Sequence, residues 1–378
     1  MKKIIIKYLN DSLTDNEYQE LLLWLRKPKN KKKFATFVEE NYHLNMSYEE
    51  IDDDKALNKV KMSIVKHKKA SRYSIWKYAV AAAVAILFAF GYLFNDSKML
   101  LDNKPVIVNN QIKTGIHKAT LTLEDGSQVV LGKGTDYKSQ NVQSNGEALM
   151  YVTGQTENAH VSFNTLTVPR GGQFQIALAD GTQVWLNSES QLKYPITFID
   201  GESRNVELIY GEAYFDVSHS TEHGGSNFKV IHNQQEIQVL GTKFNIKAYK
   251  DEASIYTTLV EGKVAISTPS ERKILLPNQQ AILSNVNNKI VVSDIKVKDE
   301  IAWVNGEFII KHKSLKTIMK ELSRWYDMDV VFKEKSLEDV KFVGVLGREQ
   351  DIVQILNTIK ELGVINGYEI TNKQVILK

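Results

Sequence analysis

From Tyr78 to Phe94 the chain carries no charged residue, and nearly every side chain is Ala, Val, Ile, Leu or Phe. No other feature limits the fold as much. A helix of seventeen residues is roughly 25 Å long, the short end of what a bilayer core needs. Starting at Ile75 gives about 20 residues, if Lys77 snorkels its amine to the headgroups. Tyr73, Trp76 and Tyr78 flank one end, and Tyr92 and Phe94 the other, as amphipathic aromatics do at membrane interfaces. A soluble helix rarely lacks a polar face. The run also begins too far from Met1 for a cleaved signal peptide. Lys66, Lys68, Lys69, Arg72 and Lys77 precede it, whereas Asp96, Lys98, Asp102 and Lys104 come after it. That bias keeps the N-terminus in the cytoplasm. The expected location is the inner membrane, crossed once, with the C-terminus in the periplasm.

The charge distribution agrees with two environments. Residues 1–77 hold 17 Lys and Arg against 11 Asp and Glu, and the remainder holds 31 against 34. There is no cysteine, which removes disulfides, thiolate nucleophiles and cysteine-bound zinc.

Three helices are expected before the run, forming a small all-α cytoplasmic domain over 1–72. Thr14 and Glu17 have capping-box spacing, and Tyr18, Leu21, Leu22 and Leu25 form one apolar stripe until Pro28. Phe34, Phe37, Val38 and Tyr42 form a second stripe. Leu57, Val60 and Ile64 mark a third helix, acidic at its start and basic at its end. These stripes either pack on each other or receive a partner helix. The basic excess does not imply DNA binding, because five of the cations are explained by topology.

Beyond the run, residues 95–114 read as a linker. Residues 115–295 read as an all-β body of short strands broken by turns such as Asp125-Gly126, Asp180-Gly181 and Glu261-Gly262. Leu123-Glu124-Asp125-Gly126-Ser127-Gln128-Val129-Val130-Leu131 matches Leu178-Ala179-Asp180-Gly181-Thr182-Gln183-Val184-Trp185-Leu186 at an offset of 55, two strand–turn–strand units of one design. Residues 303–378 change texture to an α+β domain in the order β-α-β-β-α-β-β, with two helices on one sheet.

The β region resembles the FecR family of cell-surface-signalling anti-sigma factors. The residues that carry this are Val168-Pro169-Arg170-Gly171-Gly172, Leu178 to Asn187, Tyr194-Pro195, Arg204 to Leu208 and Gly211 to Val217. Phe228-Lys229-Val230, Val239 to Ile246 and Leu259 to Val264 complete the set. Trp303-Val304-Asn305-Gly306 to the end is similar to the C-terminal domain of the Bacteroidetes branch, itself similar to the short signalling domain of outer-membrane transducers and secretins. Trp185, Tyr214 and Phe215 read as core aromatics rather than ligand contacts.

The resemblance implies a regulator that needs no cofactor and is not an enzyme. The cytoplasmic helices would bind an extracytoplasmic-function sigma factor through Leu21, Leu22, Leu25, Phe34 and Phe37. The periplasmic part would bind the signalling domain of a TonB-dependent outer-membrane transporter. Exposed strand edges at Phe308, Ile309 and Ile310, or at Val375, Ile376 and Leu377, could take that partner by strand addition. Membrane proteases would complete the relay, with no direct nucleic-acid contact. Some relatives break a Gly-Thr bond within the motif matched here by Gly241-Thr242, where a threonine hydroxyl can attack its preceding carbonyl.

No G-x-S-x-G, H-E-x-x-H or Walker loop is present. His219 and His223 are four apart, but Gly224-Gly225 and polar neighbours favour a loop over a metal site. A membrane-anchored glycan-binding or glycan-processing protein is the alternative, which a deep pocket with aromatics and paired acids would favour.

Overall fold

The computed structural model describes residues 106–378, except 140–141 and 152–160, together with scattered positions among the first 34. The chain divides into two compact units, Met1–Asn103 and Lys104–Lys378. In the first, Leu21 and Phe34 are buried and Leu25 is half-buried. Leu22, Phe37 and the uncharged run Tyr78–Phe94 lie outside the described residues.

The second unit is built mostly of strands. β1 (Val106–Val108) is followed by β2 (Ile116–Thr122), β3 (Gln128–Gly132), β4 (Tyr137–Lys138), β5 (Val142–Ser144), β6 (Ala148–Tyr151), β7 (Phe163–Val168) and β8 (Gly172–Ala177). Then come β9 (Gln183–Leu186), β10 (Ser190–Pro195), β11 (Arg204–Asp216), β12 (Phe228–His232), β13 (Gln235–Val239), β14 (Lys243–Ala248) and β15 (Ser254–Glu261). β16 (Val264–Ser267), β17 (Arg272–Leu275), β18 (Gln279–Ser284) and β19 (Ile290–Asp294) complete the body. Alternation sets the faces. In β7, for example, Asn164, Leu166 and Val168 are buried, while Phe163, Thr165 and Thr167 are not.

The strands form two sheets, ordered β3-β2-β7-β10-β11-β12-β13-β16-β17 and β4-β5-β6-β8-β9-β11-β14-β15-β18-β19. Side chains from both meet in one core that includes Leu121, Leu166, Phe174, Val206, Phe215, Phe228 and Phe244. Phe215 stacks on Phe244 with ring centres 5.0 Å apart. β11 belongs to both sheets and changes between them at Gly211, where φ is +100°. A Cβ there would lie 2.2 Å from Ser190 Oγ and 2.4 Å from Ser190 Cα, so the crossing requires glycine.

After α1 (Val297–Glu300) come β20 (Glu307–Ser314), α2 (Leu315–Tyr326), β21 (Asp329–Phe332), β22 (Lys341–Gly347), α3 (Ile352–Glu361), β23 (Tyr368–Thr371) and β24 (Gln374–Leu377). Ser314 Oγ caps α2 by accepting from Thr317 N at 3.2 Å, and Asp351 caps α3 by accepting from Val353 N at 2.7 Å. Leu315, Ile318, Met319, Leu322, Trp325 and Tyr326 form the buried stripe of α2. They share a second core with Ile355, Leu356, Ile359, Ile370 and Val375.

Three sequence expectations are corrected. The fold class, with a small all-α domain and one transmembrane helix, gives way to a mostly β architecture with few helices among the described residues. Among the described residues no helix is long and apolar enough to cross a membrane. The longest, α2, has 12 residues and so extends roughly 18 Å, against about 30 Å of hydrocarbon. Second, the terminal strands do not share one sheet. β20 and β22 make a two-stranded ribbon, separate from a four-stranded sheet ordered β1-β23-β24-β21. Third, part of the expected linker is β1, which pairs in parallel with β23.

Candidate functional site

The body and the terminal α+β part meet along a polar seam made by three arginines. Arg170 sits in the turn between β7 and β8 and reaches the C-terminal end of α2. Its Nη2 donates to Ser323 O at 3.0 Å and to Met328 O. Gly171 N donates to Arg324 O at 2.7 Å. A cation and an amide thus satisfy carbonyls at the negative end of the helix.

Arg324 lies off the apolar stripe of α2, yet it is buried. Its guanidinium stacks 3.6 Å from the ring centre of Tyr249 and pairs with Asp251 at 2.6 Å, Glu252 at 3.2 Å and Glu189 at 3.4 Å. Burial opposes its charge, but Tyr249, Asp251 and Glu252 raise its pKa. These acids all belong to the body, so the helix is held by charge-assisted contacts across the seam.

Arg348 comes just after β22 and reaches furthest in. It lies 3.7 Å from the Trp325 ring centre and donates to Trp303 O at 3.1 Å and Asn187 Oδ1 at 2.9 Å. Trp325 Nε1 returns a bond to Arg348 O at 2.7 Å. Behind it, Glu212 accepts from Asn187 Nδ2 at 2.8 Å and Asn245 Nδ2 at 3.0 Å, and Trp303 Nε1 donates to Asn245 Oδ1 at 3.2 Å. Burial raises the Glu212 pKa, against the pull of Lys247 and the two asparagine bonds. Burial likewise pushes the Arg348 guanidinium down to about 10, so it stays charged near neutrality. Through Arg348 and Trp303, the terminal part is tied to the strands of the body.

A cavity of about 60 Å³ opens among Glu212, Lys247, Trp303, Glu321, Trp325 and Arg348. It is far below the several hundred Å³ of small-molecule sites and holds no sugar ring. Its polar lining and size suit a few waters. The carboxylates here are engaged by cations and amides: Glu212 by Asn187 and Asn245, and Glu321 by Lys313.

The expected partner-binding strands are placed differently from one another. Phe308, Ile309 and Ile310 lie in β20, which pairs with β22 among the described residues. Phe308 and Ile310 point into the core, leaving Ile309 half-buried. Val375, Ile376 and Leu377 lie in β24, which is paired on both sides by β23 and β21 and has no edge to offer. Phe215 is core, whereas Trp185 is half-exposed against Tyr214. His219 caps a short 3-10 turn, Ser220–His223, and His223 Nε2 contacts Ser218 Oγ. Among the described residues no group of three His, Asp or Glu is placed to hold a metal. Gly241 has a φ of +149°, and a Cβ would meet His219 at 2.4 Å. Thr242 is buried and donates its hydroxyl to Lys263 O at 3.2 Å.

The family model described as FecR protein matches residues 150–265, and that of the FecR C-terminal region matches 307–377. Two crystal structures of a candidate anti-sigma factor from Parabacteroides distasonis ATCC 8503, at 2.50 and 1.65 Å, are each 28% identical with a TM-score of 0.50. Each match covers 57% of this chain and 98% of the other. None of the curated proteins matches. The two matched regions are the two sides of the arginine seam.

Proposed function

The chain belongs to the FecR family, and from that premise we propose that it acts as an anti-sigma factor relaying an outer-membrane signal to transcription. The family is regulatory rather than enzymatic. The observation that carries the reading is the joining of a FecR body to a FecR C-terminal part through Arg170, Arg324 and Arg348, a geometry suited to passing force rather than turning over substrate. In the finer reading, the N-terminal residues sequester an extracytoplasmic-function sigma factor, with contacts at Leu21, Leu22, Leu25, Phe34 and Phe37. Leu21 and Phe34 are buried in the described form, so contact through them needs that region to open. The terminal part receives the signalling domain of a TonB-dependent transporter; of the two strand segments expected from sequence, β20 is the one that, among the described residues, pairs on one side alone. Membrane proteases release the sigma factor.

Placement at the inner membrane belongs to the same proposal and is supported by the uncharged run and its flanking cations. Recovery of the full-length chain in the soluble fraction without detergent contradicts it. The function is tested by co-purification. A sigma factor should accompany the full chain, and Leu22→Asp or Phe37→Asp should lose it; a chain that retains no sigma factor in any state overturns the reading.

Cleavage between Gly241 and Thr242 is a further proposal, favoured by the positive φ of Gly241 and the buried Thr242 hydroxyl. Thr242 Oγ would attack the Gly241 carbonyl carbon while the peptide C–N bond breaks and the amine takes the proton; water then opens the ester. A single 43.0 kDa band, unchanged by Thr242→Ala, argues against it.

A further inference from the structure

The two hairpins that repeat at an offset of 55 have the same turn but not the same neighbours. In the first, Leu123 N bonds Ser127 O at 2.9 Å, Gly126 N bonds Leu123 O at 3.0 Å, and Ser127 N bonds Asp125 Oδ1 at 2.9 Å. In the second, Leu178 N bonds Thr182 O at 2.9 Å, Gly181 N bonds Leu178 O at 2.9 Å, and Thr182 N bonds Asp180 Oδ1 at 3.0 Å. The local fold is therefore one design used twice.

The second copy is covered along its outer edge. β11 pairs antiparallel with β9, placing Tyr214 opposite Trp185, Phe215 opposite Val184 and Asp216 opposite Gln183. The chain then continues past the turn: Ser218 N donates to Thr182 Oγ1 at 3.2 Å and Ser218 Oγ donates to Asp180 O at 2.8 Å. Under that cover Thr182 is 0% exposed, and Trp185 meets Tyr214 edge to face.

The first copy has no such cover among the described residues. Among the described residues β3 pairs with β2 alone. Asp125, Ser127 and Gln128 are exposed, and Val130, the counterpart of Trp185, is 69% exposed. An uncovered strand edge with a bare central valine is the setting in which another chain adds a strand.

We propose that the outer edge of β3 docks an extended strand of another protein, running antiparallel to Gln128–Leu131. The covering strand of the second copy states the chemistry. A bulky apolar or aromatic side chain lies opposite Val130, an apolar one opposite Val129, and a serine or threonine opposite Gly126 bonds the turn. This surface is separate from the arginine seam and does not depend on the anti-sigma reading.

The chain has no cysteine, which permits a register-specific test. The full chain carrying Val130→Cys is equilibrated, in a glutathione buffer, with a synthetic peptide of residues 212–219 in which the Tyr214 position is cysteine. Val286→Cys, at a residue 88% exposed outside any strand, is the control. The expected result is at least tenfold more mixed disulfide at position 130 than at 286, lost with a scrambled peptide. Equal yields at the two positions, or low yields at both, overturn the proposal. So does a Val130→Cys disulfide dimer as the main product, which assigns the edge to a second copy of this chain.

Discussion

Arg348 is the residue on which the seam most depends. Its guanidinium bonds Trp303 O and Asn187 Oδ1 and lies on Trp325. Arg348→Ala leaves buried acceptors unpaired and removes a desolvated cation–π contact, so unfolding should become easier by on the order of 3 kcal/mol. Arg348→Lys should rescue only part, because an ammonium lacks the fork. Thermal unfolding followed by tryptophan fluorescence measures both. Gly211→Ala should lose at least about 2 kcal/mol by the same assay, because a Cβ meets Ser190 in a backbone of positive φ. Glu212 supplies a pH dependence. Burial raises its folded pKa, so the folded chain holds a proton over a range where the unfolded chain has released it. This contribution is complete below the ordinary glutamate pKa and is lost as pH rises through the raised value. Stability should therefore climb on acidification toward the ordinary value, and Glu212→Gln should flatten that slope; an unchanged slope contradicts the assignment. Asn187, Glu212 and Asn245 all stand within the stretches that carry the family resemblance, yet nothing in the pattern showed them as a unit. Glu212 reads as an outward polar position of a strand. It stays off the core face held by Ala213 and Phe215, and is buried because Trp303 and Arg348 of the terminal part cover it together with Asn187 and Asn245. Arg324 reads as solvent-facing because it falls off the apolar stripe, and only Tyr249, Asp251 and Glu252 arriving from the body bury it.

β1 shows how far an element can escape sequence reading. Val106-Ile107-Val108 lies between Pro105 and a pair of asparagines, and a three-residue apolar stretch in a polar segment reads as linker. Here it forms the edge of the terminal sheet. All three side chains are exposed, so β1 is held by its backbone and by the contacts of residues 109–112. Asn109 Nδ2 donates to Asn372 Oδ1 at 3.0 Å, Gln111 N donates to Asn372 O at 3.1 Å, and Ile112 enters the second core. The segment then passes Gly115 against Trp325 and joins the body at β2. Residues 106–116 thus strap the terminal sheet to the body. Ile107→Pro should raise hydrogen exchange at Glu369–Thr371 by about tenfold or more while leaving Val375–Leu377 unchanged. Equal change in both strands would mean that the sheet opens as a whole. The turns at Asp125-Gly126 and Asp180-Gly181 and the helices after Ser314 and Asp351 were legible, because caps, turn residues and apolar periods are local. Strand partners were not: the Val375–Leu377 edge is closed by β21 from one side and β23 from the other, a long-range arrangement that no local pattern reports.

At the scale of the molecule, the expected all-α front and membrane helix are corrected: the described residues are predominantly β, and no helix among them is long and apolar enough to cross a membrane. The body is a sandwich with one apolar core, the terminal part has a second, and the joint between them is charged and desolvated. Such a joint resists sliding but is vulnerable at single residues. Arg324→Glu sets a like charge against Asp251 and Glu252, and should free the terminal part to sharply faster proteolysis while the body core stays intact. The central claim, that this FecR-family chain restrains a sigma factor, is most directly tested by transcription in vitro. RNA polymerase core is supplied with the extracytoplasmic-function sigma factor that co-purifies with the full chain, on a promoter it serves, with and without that chain. The account predicts that transcripts fall in proportion to added chain and return when the Leu22→Asp variant replaces it. Undiminished transcription at a molar excess of the chain would contradict it.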